Sequence, residues 1–299
     1  MPLTHLLLAA AVISIWGINF ICLKVGLEEL SPLMLSSARF ILASVPAIFF
    51  IKPPAVPFRQ VILYGLTMLA LQFLFLFFGM NAGVSPSLAS LIMQLQVFFT
   101  LFYATVWWKE WPSSWQILGA IISFAGIGIV AAHVDNSMTI LGVIMILGAA
   151  ASWGLGNIIS KSMGKVNMLA LVVWGSFVAS IPMTLLSIAF DGTDAIASSF
   201  SQLSVPAVMS VLFIAYGATL AGYGTWSWLL HRHPVSTVAP FGMLVPIVAM
   251  LSSALVLDEP LQNWKLLAGI FVISGLCVNL FGARLRAMMI RAFQPSESA

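Results

Sequence analysis

Charged side chains are scarce in this chain of 299 residues. Asp, Glu, Lys and Arg together make up 7% of the sequence, whereas hydrophobic residues make up 61%. An ordinary soluble domain carries about 25% charged residues. With a mean hydropathy of +1.07, the chain has more apolar surface than a fold in water can bury, so we expect lipid to be its main solvent.

Other scarcities exclude whole classes of function. The two cysteines, Cys22 and Cys277, lie in separate apolar segments, so we interpret them as small hydrophobic residues and not as a disulfide or metal site. The formal charge of +3 is spread along the chain, apart from the short stretch ARLRAMMIR, so no nucleic-acid partner is expected. Neither a Ser–His pair at membrane depth nor a cluster of His and carboxylates is present, so we predict no enzyme activity and no cofactor.

Ten apolar segments are long enough to cross a membrane as helices. A hydrocarbon core about 30 Å thick requires roughly 20 apolar residues, whose backbone groups are paired within the helix. Turn-forming clusters such as KPPAVP, KEWPSS and DGTD separate the segments. The predicted spans are 5–25, 32–51, 60–80, 84–107, 115–132, 139–160, 168–190, 206–229, 235–257 and 264–283. The sequence therefore predicts an all-α, polytopic membrane protein of ten helices.

The distribution of Lys and Arg predicts the orientation, because cytoplasmic loops hold an excess of these residues. With both termini inside, only Lys24 and Lys265 fall in outer loops. The inner loops and tail then hold nine basic residues: Lys52, Arg59, Lys109, Lys161, Lys165, Arg232, Arg284, Arg286 and Arg291. The outer loops receive the acidic residues Glu28, Glu29, Asp135, Asp191, Asp194 and Asp258. We therefore predict that both termini are cytoplasmic.

A motif of the first span returns in the sixth. SIWGINFICLK and ASWGLGNIISK each place a Lys eight residues after a Trp, and Trp16 and Trp153 are 137 residues apart. Further matches follow in the same order. ASVP in the second span matches ASIP in the seventh, and YGLT in the third matches YGAT in the eighth. The fourth and fifth spans carry a Glu, a Trp and a Gly between Glu110 and Gly126, and the ninth and tenth carry the same three residues at the same spacing between Glu259 and Gly275. Chance can produce any one such match in an apolar chain, but matches in register across all five pairs of spans favour an internal repeat.

Each copy of the repeat contains five spans, so the second copy must enter the membrane upside down. The predicted units are residues 1–133 and 134–286, followed by a cytoplasmic tail at 287–299. Inverted repeats of this kind place a substrate site near the midplane, between halves that rock against each other. The sequence thus predicts a solute transporter that works by alternating access.

Five fragments resemble the EamA branch of the drug/metabolite transporter superfamily. They are WGINFICLKVGL with the following SPLMLSSARF and PAIFF, LASLIMQLQVFFT, AASWGLGNI, AGYGTWSWLL and VAPFGMLVPIVAMLSSALVLDE. The resemblance extends from about residue 8 to residue 284 and is greatest to exporters of O-acetylserine and cysteine and related amino-acid exporters. It implies ten helices in a bacterial inner membrane, cytoplasmic termini, and efflux of small metabolites through a central cavity, with a cargo range that extends to neutral and aromatic amino acids.

Polar and aromatic residues at mid-span are candidates for substrate contact, because such groups are costly in lipid and normally face a cavity. The candidates in the first, third, fourth and sixth spans are Trp16, Asn19, Gln72, Gln94, Trp153 and Asn157. The alternative is that the amides only join helices, at about 0.6 to 2 kcal/mol each. Gln94 and Gln96 are two positions apart, about 200° around a helix, so we predict that only one faces the cavity and favour Gln94.

Two further candidates follow from charge and aromaticity. Tyr223 lies among glycines of the eighth span, and its ring could attract a substrate ammonium group. Arg39 is the only charged residue well inside a span, and its guanidinium could bind a substrate carboxylate in bidentate fashion. The alternative for Arg39 is a structural role, in which it binds helix carbonyls or extends outward to the membrane surface. The counterpart region of the seventh span has no charge, and Trp174 is predicted to fill the equivalent space.

The mid-span positions also lack acids and histidines, which proton-coupled transport usually requires. Glu110 and Glu259 lie at helix ends, where we expect them to bind backbone donors or to pair with Lys109 and Lys265. We therefore predict downhill, uniport-like export, with proton exchange as the alternative mechanism and a multidrug or organic-cation exporter as the alternative function. Small residues on spans 5 and 10 make these helices candidates for scaffold or homodimer contacts.

Overall fold

The structure is a computed structural model that describes residues 1–133, 138–233 and 235–293. Asp135 and the side chains of Arg284, Arg286 and Arg291, which entered the predicted topology, lie outside what it describes, as does the end of the predicted tail. The helices, with two π-helical segments, are α1 (Leu3–Glu29), α2 (Pro32–Ile48), α3 (Phe58–Tyr64), π1 (Gly65–Leu71), α4 (Gln72–Asn81), α5 (Pro86–Met93), α6 (Gln96–Trp108), α7 (Ser114–Ala132), α8 (Ile140–Ser162), α9 (Met168–Phe190), α10 (Thr193–Ser201), α11 (Val205–Leu212), π2 (Phe213–Gly222), α12 (Tyr223–Arg232), α13 (Val235–Gly242), α14 (Val245–Val256) and α15 (Asn263–Phe293).

All regular elements in the described ranges are helical, which confirms the predicted all-α class. Eight continuous helical stretches in those ranges are long and apolar enough to cross a membrane. Two shorter apolar helices, Pro32–Ile48 and Pro240–Val256, accompany them. The total of ten spans therefore stays a prediction, because these two helices are shorter than the roughly 20 residues that a perpendicular crossing needs.

Side-chain caps account for several helix starts. Ser31 Oγ accepts the Met34 backbone N–H at the start of α2, where Pro32 occupies the first position. Ser113 and Gln116 form a reciprocal capping box at the start of α7. Such caps pair backbone N–H groups that have no partner within the helix. They fix where each apolar segment enters the bundle, close to the boundaries that the turn signals predict.

Two of the predicted spans are interrupted near their middle. A turn at residues 94–95 separates α5 from α6, and a turn at residues 243–244 separates α13 from α14. The side chain of Gln94 donates from Nε2 to the Gly242 carbonyl oxygen at 3.1 Å, so a hydrogen bond joins the two interruptions. Broken helices are tolerated at membrane depth only where neighbouring groups pair the freed backbone atoms.

Wide helical turns occur in two other predicted spans, at π1 and π2. In π2, Thr219 Oγ1 donates to the Ile214 carbonyl five residues earlier, at 2.9 Å. In π1, Thr67 Oγ1 donates to the carbonyl oxygen of Leu63, four residues earlier and at the end of α3, at 2.7 Å. Widened turns of this kind are frequent at functional sites. No pattern in the sequence predicted these turns, and α10, a short helix between the seventh and eighth predicted spans, was not predicted either.

Helices α7 and α15 pack closely along their small residues. A Cβ atom added to Gly119 would lie 2.5 Å from the Gly275 carbonyl oxygen, and one added to Gly126 would lie 2.9 Å from the Ala268 carbonyl oxygen. Ser123 Oγ also donates to the Val272 carbonyl oxygen at 3.1 Å. The small-residue face is therefore used within one chain. The predicted homodimer through spans 5 and 10 stays a prediction, and it would have to use other faces of these helices.

Two Glu–Lys pairs lie at helix ends. Glu259 pairs with Lys265 at 2.8 Å, which confirms the predicted partner, and both side chains are less than 10% exposed. Glu110 pairs with Lys161 at 3.0 Å, where both side chains are more than half exposed. The pairing of Glu110 with its neighbour Lys109 was wrong, because Lys109 adopts a left-handed backbone conformation that ends α6 and Lys161 approaches from α8.

Candidate functional site

A cavity of about 400 Å³ lies among the helices of both predicted halves. All eight predicted substrate-binding residues line it: Trp16, Asn19, Arg39, Gln72, Gln94, Trp153, Asn157 and Tyr223. Its volume falls within the range of about 300 to 1,000 Å³ that small-molecule sites occupy. The structure thus brings the predicted residues together, although their contact with a substrate stays a prediction.

A larger groove of about 660 Å³ lies between α2, α9, α10 and α11. Its walls are almost entirely apolar, with Ser37, Thr184, Ser187 and Thr193 as the hydroxyl-bearing residues among them. Ser37 and Thr184 are already hydrogen-bonded to each other through their hydroxyl groups at 2.6 Å. Since ligand sites combine apolar walls with convergent polar groups, the smaller cavity is the stronger candidate for a metabolite.

Trp16 and Asn19 are three positions apart on α1 and therefore lie on the same side of the helix. The indole N–H of Trp16 donates to the Ala218 carbonyl oxygen in π2 at 3.1 Å. The Trp16 ring centroid lies 5.5 Å from that of Tyr223 and 5.3 Å from that of Trp226. These three rings form an aromatic wall, and the wide turn of π2 supplies the carbonyl that holds Trp16 in place.

Among the described residues that line this cavity, Arg39 of α2 is the one with a charged side chain, and it is 2% exposed. Its Nη2 donates to Thr219 Oγ1 at 3.0 Å. Its guanidinium carbon lies 3.7 Å from the ring centroid of Phe73, within cation–π range. Its other two nitrogens, Nε and Nη1, have no hydrogen-bond partner. Arg39 therefore contacts a hydroxyl group and an aromatic ring, and not the helix carbonyls of the structural alternative.

Three other lining residues also hold a buried polar atom without a partner. These atoms are Oδ1 of Asn19, the hydroxyl of Tyr64 and Oε1 of Gln72, and the three side chains are at most 7% exposed. Native proteins leave few buried polar groups unpaired. Their concentration around one cavity leaves these atoms available to a polar molecule inside it.

Gln94 and Gln96 both line the cavity, so the prediction that only one of them could face it was wrong. The 200° separation applies to a continuous helix, whereas the chain turns at residues 94–95 between α5 and α6. Gln96 Oε1 accepts a hydrogen bond from Asn157 Nδ2 at 2.8 Å, and the same nitrogen lies 3.1 Å from Thr100 Oγ1. In this part of the cavity the amides pair with protein groups, as the helix-joining alternative describes.

The prediction for Trp174 was also wrong. Its indole N–H donates to the Ile51 carbonyl oxygen at 2.9 Å, and the residue does not line the cavity. Conversely, Tyr64, Phe73 and Trp226 line the cavity but were not predicted as site residues. For Tyr64 a signal was present, because YGLT of the third span matches YGAT of the eighth, so both copies carry a phenol at this position.

Replacing Gly222 with alanine is expected to displace Trp16 and to destabilise the protein by about 1–3 kcal/mol, as overpacking usually does. A Cβ atom at Gly222 would lie 2.5 Å from Trp16 Nε1, so the indole could not keep its bond to Ala218. Gly224→Ala is the matched control, because the nearest atom to its added Cβ is Leu169 Cδ1 at 3.7 Å. Thermal unfolding and tryptophan emission in detergent measure the effect, and equal behaviour of the two variants would contradict it.

Comparison with known proteins is consistent with this arrangement. The model of the EamA-like transporter family matches residues 3–132 and 140–281. The chain is 36% identical over 285 residues to a probable amino-acid metabolite efflux pump of Escherichia coli K12, covering 93% of this chain and 95% of that protein. A probable amino-acid metabolite efflux pump of Salmonella typhimurium is similar to the same extent. One solved crystal structure, 15% identical, aligns over 96% of this chain and 98% of its own with a TM-score of 0.64, which supports the fold alone.

Proposed function

Because the chain belongs to the EamA-like transporter family, we propose that it exports small amino acids or related metabolites across a bacterial inner membrane. The proposed cargo is cysteine, O-acetylserine and similar compounds, with an extension to neutral and aromatic amino acids. The similarity to probable amino-acid metabolite efflux pumps supports this class of cargo. The membership also identifies the protein as a multi-pass membrane transporter and not an enzyme.

The single observation that carries the proposal is the buried guanidinium of Arg39 in a cavity whose other described lining residues are uncharged. A carboxylate is the group that matches the fork of an arginine best. Among the described residues, the cavity lining contains no Asp or Glu that could attract a cation. An organic cation would therefore meet Arg39 without a compensating acid, which favours amino acids over the drug-like cations of the alternative hypothesis.

We propose ten spans arranged as two inverted units, residues 1–133 and 134–286, with both termini in the cytoplasm. Repeated irregularities support this architecture. The turn at residues 94–95 lies 149 positions before the turn at 243–244, and the left-handed residues Lys109 and Asp258 are separated by the same number of positions. The π-helical segments π1 and π2 also fall in the third and eighth spans. A shared origin of the two units accounts for such matches, and inverted units are the basis of alternating access.

We propose downhill release without an obligatory coupling ion. Proton coupling normally requires a group that titrates inside the membrane, and the described lining of the cavity contains no Asp, Glu or His. One pair of histidines, His5 in the first turn of α1 and His233 directly after α12, has ring nitrogens 2.7 Å apart. It does not line the cavity.

Efflux from sealed vesicles tests the proposed function. Proteoliposomes loaded with radiolabelled cysteine, O-acetylserine, methionine or phenylalanine are expected to release at least some of these solutes faster than protein-free liposomes. A pH gradient is expected to leave the rate unchanged, because the carrier moves the solute down its own gradient. If none of these solutes leaves faster than from protein-free liposomes, the proposed cargo class is wrong. A rate that follows the pH gradient would instead support proton exchange.

A further inference from the structure

We propose that Arg39, Asn19 and Gln72 form a subsite for the head group of a zwitterionic α-amino acid. In this subsite the two unpaired nitrogens of Arg39 bind the carboxylate, while the unpaired amide oxygens of Asn19 and Gln72 accept hydrogen bonds from the ammonium group. The inference rests on the proposed function, since it describes how the transported solute is held. It also specifies which charges a solute must carry in order to bind.

The first support is that the unpaired atoms are both donors and acceptors. Arg39 Nε and Nη1 can only donate, whereas Asn19 Oδ1 and Gln72 Oε1 can only accept. A carboxylate would pair with the first set and would leave the second set unpaired. An ammonium group would do the reverse. A molecule that carries both groups can pair with both sets at once, and in an α-amino acid the two groups are attached to the same carbon atom.

The second support is that all of these atoms are deeply buried. The side chains of Arg39, Gln72 and Asn19 are 2%, 1% and 7% exposed, respectively. Leaving a buried charge or amide without a partner is among the most costly defects in a folded protein. If the cavity opens to water in turn on each side of the membrane, water or a substrate can pair with these atoms and remove the cost. The unpaired atoms therefore favour the binding of a polar solute.

The third support is the contrast with the remaining amides of the cavity. Asn157 donates to Gln96, and Gln94 donates to the Gly242 carbonyl oxygen. These contacts connect α8 to α6 and the first helix break to the second, so they stabilise the shape of the cavity. The amide oxygens of Asn19 and Gln72 lack such partners, which distinguishes them from the amides that join helices.

Neighbouring rings complete the subsite. Phe73 lies against one face of the Arg39 guanidinium, so that the plane of the fork is fixed for an approaching carboxylate. The unpaired hydroxyl of Tyr64 can donate to the same carboxylate or accept from the ammonium group. The aromatic wall of Trp16, Tyr223 and Trp226 is available for the side chain of the solute. This arrangement would select the head group that all α-amino acids share and would accept different solute side chains. An exporter of several amino acids needs both properties.

The test compares each amino acid with derivatives that lack one of its two head-group charges. Purified protein in detergent is titrated with cysteine, O-acetylserine, methionine and phenylalanine, and the shift of the thermal unfolding midpoint reports binding. For each amino acid that binds, the N-acetyl derivative removes the ammonium charge and the methyl ester removes the carboxylate. We expect both derivatives to bind at least about tenfold more weakly than the parent, or about 1.4 kcal/mol. A derivative that binds as tightly as its parent would overturn the proposal, and so would the failure of all four parents to bind.

Variants then assign each charge to its residue. Arg39→Lys keeps a positive charge but removes the fork, so it should weaken binding of the parent amino acid much more than that of its methyl ester. Gln72→Leu and Asn19→Leu should weaken binding of the parent more than that of its N-acetyl derivative. Ser176→Ala is the matched control, because the Ser176 hydroxyl is also buried and unpaired but does not line the cavity. It should leave all affinities unchanged.

The outcomes separate this inference from the proposed function. Amino acids that bind with the expected charge preference but are not released from vesicles would refute export and leave the subsite intact. Amino acids that are released, but no better than their N-acetyl and ester derivatives, would support export and refute the subsite. If a variant fails to fold, the ligand comparison on the unaltered protein still decides the proposal.

Discussion

Replacing Lys265 with methionine is expected to lower the free energy of unfolding by about 3–5 kcal/mol, the usual cost of removing one partner from a buried ion pair. Burial opposes the charge of Glu259, but hydrogen bonds from Lys265, Ser253, Ser85 and Ser87 outweigh it and hold its pKa below the ordinary value. The carboxylate is therefore charged at neutral pH. Without Lys265 it would remain buried at the start of α15 with only serine hydroxyls as donors.

Two further variants distinguish this effect from a general loss of charge. Lys161→Met removes the partner of Glu110 from an ion pair of similar length whose side chains are 58% and 55% exposed, so it should cost no more than about 1 kcal/mol. Adding Glu259→Gln to Lys265→Met should restore much of the lost stability, because a neutral amide can remain buried beside the serines. Chemical and thermal unfolding in detergent measure these differences. Equal effects of Lys265→Met and Lys161→Met would contradict the prediction.

The positions of the helices could largely be predicted from the sequence. Runs of about 20 apolar residues and the turn clusters between them locate α1, α7, α8 and α9 to within a few residues, because a membrane leaves the backbone few alternatives to a helix. The same reasoning missed the interruptions at residues 94–95 and 243–244. Hydropathy does not record where a helix breaks, since the break depends on partners from distant parts of the chain. The Gln94 side chain and the Gly242 carbonyl are 148 residues apart in the sequence.

The residues that line the candidate site could be predicted from the sequence, but their hydrogen-bond partners could not. Polar groups at mid-span are costly in lipid, so Arg39 and Asn19 could be assigned to an interior cavity from their depth alone. Their roles depend on which atoms already have partners. Asn19 follows the Trp of its span by three positions and Asn157 follows the Trp of its span by four, so the two were not expected to be exact mirror images. In the structure Asn157 pairs with Gln96, while Asn19 Oδ1 is unpaired. Tertiary packing decides this difference, and no periodicity in the sequence encodes it.

A disulfide between cysteines introduced at positions 37 and 184 is expected to stop export. Ser37 and Thr184 lie on α2 and α9, in different units of the proposed repeat, and their hydroxyl oxygens are 2.6 Å apart. A sulfur–sulfur bond of about 2.05 Å therefore needs little rearrangement. If the two units rock against each other during each transport cycle, a covalent bond between these helices holds the carrier in one state.

The experiment uses a background in which the free cysteines Cys22 and Cys277 are replaced by alanine. Oxidation of the Ser37→Cys, Thr184→Cys double variant is expected to reduce the efflux rate on the order of tenfold or more, because one trapped state cannot complete alternating access. A reducing agent should restore the rate, and either single variant should be insensitive to oxidant. Thiol labelling before and after oxidation shows whether the bond has formed. Efflux that continues at the full rate with the bond in place would mean that α2 and α9 move as one body, and the moving boundary would then have to lie elsewhere in the bundle.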